Sequence, residues 1–397
     1  MKTITKNDET LKNNLLTVPG VKLSTTIVRT YPYGEVTSHL TGYMQRVNAD
    51  DLKKHKGEGY SETSYIGRSG IEAAYEKDLK GTDGVEIYVA NSDANSPAFL
   101  VADESVVSPL IYDEKYIPFL LDYCKNNEIS AIISLFDIDL PILSKNKELF
   151  KQNGITVVVS DERVLDICND KYKTYQFLIE NGFNAPKTFI DMVEAENNIQ
   201  NNVLKFPLIL KPRWGMGSIG IYKADNLEEL EVFYKKLKKE IFNTYLKYES
   251  SIDVDHAILI QAMIDGQEYG LDIINDLEGN YQNTIVKKKV AMRSGETDCA
   301  ETVDSIEIKQ IGEKLSKTIK HIANLDCDVF VTSDNTIYVL EMNARFGGGY
   351  PFSHLAGVNL PMAIIKWLSN ESVDIKELLT AKPSVYGQKD INIVRIK

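Results

Sequence analysis

Residues 326–349 read DCDVFVTSDNTIYVLEMNARFGGG. Two apolar stretches flank the polar turn SDNT, and this pattern is typical of a β-hairpin. If the loop comprises residues 333–336, Thr332 pairs with Ile337 and the same register pairs Asp328 with Glu341. The sequence therefore predicts two carboxylates directly opposite each other on neighbouring strands.

Directly opposed carboxylates repel each other unless a cation lies between them. Glu341, Asn343 and Arg345 share one strand face because side chains alternate along a strand. Oxygen ligands of this kind suit Mg²⁺ or Mn²⁺, so Asp328, Glu341 and Asn343 are the predicted metal ligands. Arg345 would face the charge of a phosphoryl or acylphosphate group. The alternative is a solvated hairpin face, which fits poorly with the strongly apolar neighbours.

A second motif is FPLILKPRWGMGSIGIYKA at residues 206–224. Lys211 ends an apolar strand, and the glycines Gly215, Gly217 and Gly220 follow it. Glycines let backbone N–H groups approach an anion, and a lysine adds a point charge for phosphate. No helix follows the loop, so the motif is neither a Walker A loop nor a dinucleotide fingerprint. The alternative is a plain glycine hairpin.

The stretch IQAMIDGQEYGLDIIND, residues 260–276, is an apolar strand that runs into Gly266 and Glu268. Glu268 could accept hydrogen bonds from ribose hydroxyls, and the backbone near Ala262 could contact an adenine edge. An ordinary strand–turn–strand with an exposed glutamate is the more common explanation for such a pattern.

Two further segments carry charge. Asp170 and Lys171 lie in a predicted helix, where a solvated face is the usual explanation. In KKKVAMRSGETD, residues 287–298, Lys287 and Lys289 share a strand face and Arg293 begins a polar loop. These basic groups could hold a carboxylate or a phosphate, whereas a solvated edge strand is the equal alternative.

From Val85 onward, strands alternate with helices, which predicts parallel strands joined by crossover helices. An amphipathic helix precedes this region over about 71–80, with Ile71, Ala74, Tyr75 and Leu79 on one face. The later predicted strands are 129–136, 155–160 and 206–212, and the predicted helices are 115–127, about 141–153, 162–182 and 226–247.

Composition narrows the functional class. The chain has 397 residues, enough for two to four domains, and a net charge of −12 argues against non-specific binding to nucleic acid. No apolar run is long enough for a membrane span, and the first 20 residues lack a signal-peptide core, so we expect a cytoplasmic protein. The four scattered cysteines predict free thiols, and no histidine pattern indicates zinc.

Taken in order, these motifs resemble the ATP-grasp superfamily of ligases over about residues 86–370. EMNAR, residues 341–345, matches the Glu-x-Asn-x-Arg signature of that family. The text from ANSDANSP through DICNDKYKTYQFL is similar to the carbamoyl-phosphate-synthase-like subgroup, including its pre-ATP-grasp domain. The resemblance implies an α/β chain with an α+β ATP-grasp fold, preceded by a Rossmann-like pre-ATP-grasp domain that lacks its first strand.

The resemblance also implies a role for each matching residue, with Mg²⁺ (or Mn²⁺) and ATP as cofactors. Lys171 and Lys211 would contact the ATP phosphates, and Gly215 to Gly220, with Gly217 and Ser218, would form a phosphate lid. The remaining nucleotide contacts would be an adenine hinge of Gln261, Ala262, Met263 and Ile264, with Glu268 on the ribose. Asp328, Glu341 and Asn343 would hold the metal, and the catalytic group would comprise Arg345, Lys211 and Arg293.

The implied reaction joins a small-molecule carboxylate to an amine through an acylphosphate. Arg293 is the expected grip on a substrate carboxylate, since a guanidinium can bind one with two hydrogen bonds. The loop 292–300 and the segment from Phe346 to His354 would line the substrate pocket. Relatives in the subgroup often dimerise through the pre-ATP-grasp domain, so a homodimer is possible.

Residues 2–89 resemble the non-catalytic pedestal of class B penicillin-binding proteins, through TYPYG, SHLTGY and IGRSGIE. No K-[ST]-G motif is present, so no transpeptidase activity is expected. The predicted domains are a pedestal-like module (1–84), a pre-ATP-grasp domain (85–165), an ATP-grasp domain (166–370, hinge near 261–264) and a tail (371–397). Two alternatives to a ligase stay open: an impaired, nucleotide-binding fusion or scaffold protein, and a structural cell-wall module.

Overall fold

The structure is a computed structural model that describes residues 44–55, 60, 64–69, 73–74, 85–215, 220–293 and 295–390. The chain divides into two compact units, Met1–Ile87 and Tyr88–Lys397. The predicted helix face near residues 71–80 lies outside the described residues except for Ala74.

The described part of the first unit is small. β1 (Met44–Arg46) pairs antiparallel with β2 (Tyr65–Gly67), and α1 (Ala49–Lys54) lies between them in sequence. Asn48 begins α1 with a capping box, in which its side chain accepts from the amide of Asp51 and the Asp51 carboxylate accepts from the amide of Asn48.

The second unit begins with two short parallel pairs. β3 (Tyr88–Asn91) pairs with β4 (Glu104–Val107), and β5 (Ala131–Ile133) pairs with β6 (Thr156–Val158). The parallel pairing confirms the prediction made from the strand–helix alternation. Within the described residues these pairs form two separate two-stranded sheets.

Helices of this region are shorter than predicted. They are α2 (Tyr116–Asn126), α3 (Leu140–Lys145), α4 (Lys147–Lys151), α5 (Glu162–Asn169) and α6 (Lys171–Glu180). The predicted helix 162–182 is broken at Asp170, whose backbone is extended and whose side chain caps α6 by accepting from the amides of Tyr172 and Lys173. In a continuous helix these amides would donate to carbonyls of the preceding turn. Because the helix is interrupted at Asp170, they donate to the aspartate side chain instead.

A four-stranded antiparallel sheet follows, with strand order β7-β10-β8-β9. Its strands are β7 (Thr188–Phe189), β8 (Leu208–Pro212), β9 (Tyr222–Ala224) and β10 (Ile258–Ala262). Three helices accompany it: α7 (Met192–Gln200), α8 (Leu227–Asn243) and α9 (Lys247–Ser250). The predicted helix 226–247 stops early because Thr244 is extended, and the buried face of α8 packs on this sheet through Leu230, Leu237 and Ile241.

The largest sheet has six antiparallel strands in the order β15-β14-β11-β12-β13-β16. Its strands are β11 (Gln267–Asn275), β12 (Tyr281–Arg293), β13 (Glu296–Val303), β14 (Asn324–Val331), β15 (Ile337–Asn343) and β16 (Tyr386–Gln388). The associated helices are α10 (Ile306–Ile319), α11 (Tyr350–Leu355), α12 (Leu360–Leu368) and α13 (Ile375–Leu378). The predicted tail 371–397 is therefore wrong in part, because β16 pairs with β13 through Ala300 and Gly387.

One face of this sheet is apolar and buried, with Leu271, Val286, Cys327, Val329 and Met342 in the main core. Side chains alternate along each strand, so the intervening residues lie on the opposite face. That opposite face carries the charged residues of the candidate site. All four cysteines are free, as predicted, and all four are buried.

Candidate active site

The hairpin of β14 and β15 opposes two carboxylates. The predicted four-residue loop is wrong: Val331 pairs with Ile337, and the amide of Thr332 donates to the carbonyl of Thr336 at 3.1 Å. A bulge then leaves Leu340 without a cross-strand partner. This extra residue restores the predicted pairing of Asp328 with Glu341, because one inserted residue offsets the loop difference.

The strand register spreads charge across four neighbouring strands. Asp328 lies opposite Gly270 on one side and Glu341 on the other, and Asp326 lies between Asp272 and Asn343. The carboxylates on this face are Glu268, Asp272, Asp326, Asp328 and Glu341, and its cationic groups are Lys287, Lys289 and Arg345. Counted as ionised, these eight groups leave an excess of two negative charges, and the ammonium groups of Lys171 and Lys211 also act on Glu341.

Lys287 and Lys289 are held by carboxylates of this face. The Lys289 ammonium lies 2.6 Å from Glu268 and 2.7 Å from Asp328, and Lys287 pairs with Asp272. The alternative of a solvated edge strand is wrong, because β12 lies between β11 and β13. The alternative of an exposed Glu268 is also wrong, because that side chain is half-buried against Lys289.

Burial and neighbouring charges shift several pKa values. Burial raises the pKa of Asp328 to about 7 and lowers the pKa of Lys211 to about 8. Burial acts to raise the pKa of Glu341 too, yet the ammonium groups of Lys171, Lys211 and Lys289 hold it below its ordinary value. Lys289 acts to lower the pKa of Asp328, but burial and the neighbouring carboxylates of Asp326 and Glu341 outweigh it.

Arg345 lies two residues after the end of β15, between two carboxylates. Its Nε and Nη2 atoms donate to Oδ2 of Asp137 at 3.1 and 2.9 Å, and Nη1 donates to Oδ2 of Asp326 at 3.2 Å. Asp137 was missed by the sequence reasoning. Its signal was available, because it comes four residues after the parallel strand β5, at the end where functional side chains of α/β folds collect.

The smaller sheet supplies Lys211 from β8, and Lys171 stands at the first position of α6. The Lys171 ammonium donates to the carbonyl of Gly215 at 2.5 Å. The expectation of a solvated face for Asp170 and Lys171 is wrong, since Asp170 is buried and Lys171 is partly buried. Gly217 and Ser218 of the predicted lid lie outside the described residues.

The predicted adenine hinge is the end of β10. Gln261 is only 4% exposed, and its side-chain amide donates to Oγ1 of Thr188 at 2.8 Å. The amides of Ala262 and Met263 donate to backbone carbonyls at 2.9 and 3.3 Å. The Gln261 side chain is therefore occupied by Thr188, whereas Met263 is 44% exposed.

A cavity of about 560 Å³ lies between these elements. The predicted site residues that line it are Lys171, Lys211, Gly215, Gln261, Ala262, Met263, Ile264, Glu268, Asp328, Glu341, Asn343 and Arg345. The structure thus brings together residues spread over some 170 positions of the sequence. Arg293 and Gly220 do not line it, and Arg293 forms an ion pair with Asp298 at the end of the β12–β13 hairpin. The role of Arg293 stays a prediction.

The donor set fits a divalent cation. Among the residues that the structure describes, no group of three or more His, Cys, Asp or Glu side chains already converges as a metal cage. However, Asp328 and Glu341 are opposed and partly buried, both line the cavity, and Asn343 adds an amide oxygen. Such oxygen donors are those that Mg²⁺ prefers.

Three family models match the chain, and the first two matches overlap over residues 64–105. Residues 2–105 match the penicillin-binding protein dimerisation domain, residues 64–158 the PylC-like N-terminal domain, and residues 168–349 the ATP-grasp domain. In the described part of the chain, no helix combines the length and apolar character needed to cross a bilayer.

Curated relatives reflect the same division. Penicillin-binding protein 3 of Bacillus subtilis is 30% identical over 205 residues, which cover 52% of this chain and 30% of that protein. The carbamoyl phosphate synthase large chain of Pseudothermotoga lettingae is 21% identical over 292 residues, covering 71% of this chain and 25% of that protein. The chain thus spans only a quarter to a third of these relatives.

Solved structures share the fold of the second unit. The biotin carboxylase domain of 2-oxoglutarate carboxylase from Hydrogenobacter thermophilus, in complex with MgADP and bicarbonate, gives a TM-score of 0.58 at 18% identity, covering 75% of this chain and 66% of that chain. The L-amino acid ligase from Bacillus licheniformis gives 0.51 at 19% identity, covering 69% and 68%. The chain therefore carries an ATP-grasp domain that is preceded in sequence by a PylC-like pre-ATP-grasp domain. A penicillin-binding protein dimerisation segment lies at the N-terminal end of the chain.

Proposed function

We propose that this chain is an ATP-dependent ligase that joins a carboxylate to an amine, or to a thiol, through an acylphosphate. The observation that carries the proposal is the opposition of the partly buried Asp328 and Glu341 on a cavity that is also lined by Lys211. Phosphoryl transfer depends on positioned cations and a divalent metal more than on an acid–base side chain. The absence of histidine from the described cavity lining is consistent with this chemistry.

In the proposed reaction, Lys171 and Lys211 bind phosphate oxygens of ATP and Glu268 accepts from the ribose. An oxygen of the substrate carboxylate bonds to the γ-phosphorus while the bond from that phosphorus to the β–γ bridging oxygen breaks. ADP leaves with that electron pair. The amine then bonds to the acyl carbon, phosphate leaves with the C–O electron pair, and the amine proton passes to solvent.

Arg345 would stabilise the charge that develops on the transferring group, because preorganised cations act most strongly where charge forms. Asp328, Glu341 and Asn343 would hold Mg²⁺, which when bound neutralises phosphate charge. Lys289 pairs with both Glu268 and Asp328, so it links the proposed ribose and metal contacts.

The test is calorimetric titration of ATP with and without Mg²⁺, on wild type and on Glu341→Ala. We expect magnesium-dependent binding that the variant loses. Glu313→Ala, which removes an exposed ion pair with Lys317 on α10, is the control and should bind as wild type does. Wild-type protein that is folded and binds no ATP would contradict the proposal.

A second candidate is a nucleotide-binding protein without turnover. The two separate parallel pairs, β3–β4 and β5–β6, favour it because a complete pre-ATP-grasp sheet would join its strands. It predicts ATP binding of normal strength but no ADP release with any carboxylate and amine. Screening ADP release over such substrates separates the two candidates.

The proposal also implies a compartment that supplies ATP, and we therefore propose a cytoplasmic location. The match of residues 2–105 to a penicillin-binding protein segment supports the rival idea of a cell-wall module. Fractionation of cells producing the full chain tests the two locations, because a cell-wall module would be recovered outside the cytoplasm.

A further inference from the structure

Arg213 is a buried arginine next to the candidate nucleotide site. It follows β8, two residues after Lys211, and is 8% exposed. Its Nε and Nη2 atoms donate to the two carboxylate oxygens of Asp170 at 2.8 and 2.7 Å. This is the two-bond fork that only a guanidinium can form with a carboxylate.

Asp170 also caps a helix. Its Oδ1 atom also accepts from the amides of Tyr172 and Lys173 at 2.9 and 3.3 Å, so it caps α6. The next residue is Lys171, whose amide donates to the carbonyl of Arg213 at 3.2 Å. The start of α6 and the end of β8 are thus joined by both side-chain and backbone bonds.

Further contacts hold Arg213 itself. Its amide donates to the carbonyl of Ala257 at 2.9 Å, and Nη1 donates to Oδ2 of Asp253 at 3.1 Å. The guanidinium also lies 4.4 Å from the ring centroid of Trp214 and 5.6 Å from that of Tyr172. The fork, the bond to Asp253 and the two aromatic rings together hold the side chain in place.

We propose that Arg213 is a positioning residue for phosphate binding, which holds Lys171 and Lys211 at a fixed separation through its fork to Asp170. The inference rests on the proposed function, because it requires that these two lysines bind the phosphates of ATP. Both lysines line the cavity, whereas neither Arg213 nor Asp170 does. Arg213 therefore acts through the lysines and not by contact with the nucleotide.

A purely structural ion pair would behave differently. Removing it would lower the melting temperature or weaken every ligand equally. A positioning pair that serves the phosphates should weaken ATP while leaving the adenosine part of the site intact. Comparing ATP with adenosine separates the two roles, because adenosine carries no phosphate for the lysines.

The experiment is calorimetric titration of the full chain with MgATP and, separately, with adenosine. Arg213→Lys keeps the charge but removes the fork. Asp170→Asn keeps a good N-cap but removes the negative charge, so it serves where the first variant does not fold. Lys173→Ala is the matched control on the same helix, since it removes only the exposed pair with Asp166 at 2.6 Å.

We expect each variant to raise the Kd for MgATP about 10-fold, a typical loss for a residue that orients a ligand-binding group. The double variant should lose no more than either single variant, because both changes break one interaction. The Kd for adenosine should stay within about twofold of wild type, as for the control variant.

Equal ATP affinity in all variants, equal losses for ATP and adenosine, or additive losses in the double variant would overturn the inference. Wild type that binds adenosine but not ATP, or neither, would contradict the proposed function and this inference with it. Wild type that binds ATP, with variants that bind it equally well, would contradict the inference alone.

Discussion

Asp137 and Arg345 are joined by two hydrogen bonds to a single oxygen. Nε and Nη2 of Arg345 lie 3.1 and 2.9 Å from Oδ2 of Asp137, whereas the other carboxylate oxygen is buried without a partner among the described residues. Asp137 belongs to the segment that matches the PylC-like domain, and Arg345 to the ATP-grasp match. The first segment therefore orients a cation of the second.

We predict that Asp137→Asn lowers kcat while leaving the Kd for MgATP within about twofold, because Asp137 contacts Arg345 and not the cavity. The expected loss is about 10- to 100-fold, as for other residues that orient a charged group. ADP release and calorimetry measure the two quantities. Equal losses in kcat and in ATP affinity would show that Asp137 supports the whole site instead.

Gly347 makes room for the carboxylate of Asp326. A Cβ atom at this position would lie 2.0 Å from Oδ1 of Asp326, so the carboxylate would have to shift and would strain its hydrogen bond from Arg345. We predict that Gly347→Ala costs about 1–3 kcal/mol of unfolding free energy through overpacking and also lowers turnover. Urea denaturation measures the first effect and ADP release the second.

Gly348→Ala is the matched control, because a Cβ there would meet Glu296 and Lys389 only at 3.5 and 3.6 Å. These are ordinary contacts with flexible side chains, so the control should be close to neutral. Similar losses in both variants would mean that any side chain in this loop is harmful, and that the Asp326 contact is not the cause.

The sequence could predict the hairpin and its opposed carboxylates because alternation and turn chemistry are local. It could not predict how they come into register, since the loop is one residue longer than expected and a bulge at Leu340 corrects the offset. The sequence thus predicts the correct pairing of Asp328 with Glu341 from a four-residue loop, whereas the loop in the structure has five residues.

The local sequence pattern does not indicate which residues form ion pairs across distant parts of the chain. Nothing local to KKKVAMR indicates that Lys289 bridges Glu268 and Asp328, because that contact depends on sheet order. The capping of α6 by Asp170 was not predictable either, because the helical pattern of the sequence continues through that residue without interruption. Residue types at the site were predictable, whereas their ion-pair partners required the fold.

The buried pair of Lys287 and Asp272 gives a stability prediction. Lys287 is 2% exposed, and Asp272 also accepts from Ser353 and Asn324. Removing one partner leaves the other charge buried, so Lys287→Met should cost about 3–5 kcal/mol of unfolding free energy. Lys288→Met, on the other face of the same strand, should stay within about 0.5 kcal/mol. Equal effects in urea denaturation would contradict this.

His321 gives a prediction for stability against pH. The imidazole is 0% exposed, with Nε2 2.9 Å from the carbonyl of Ile273, and burial lowers its pKa from 6.5 to about 4. Between pH 4 and 6.5 the unfolded chain therefore binds a proton at this residue that the folded chain does not. The stability that the neutral imidazole contributes is fully present above pH 6.5 and is lost progressively as the pH falls toward 4.

Each pH unit in that window corresponds to about 1.4 kcal/mol, so lowering the pH from 6.5 to 5 should remove about 2 kcal/mol through His321 alone. His321→Gln cannot titrate there, and its unfolding free energy should fall less steeply by that amount. Carboxylates titrate in both proteins and cancel in the comparison. Urea denaturation at pH 7, 6 and 5 provides the two slopes, and parallel slopes would mean that the folded protein accommodates the imidazolium.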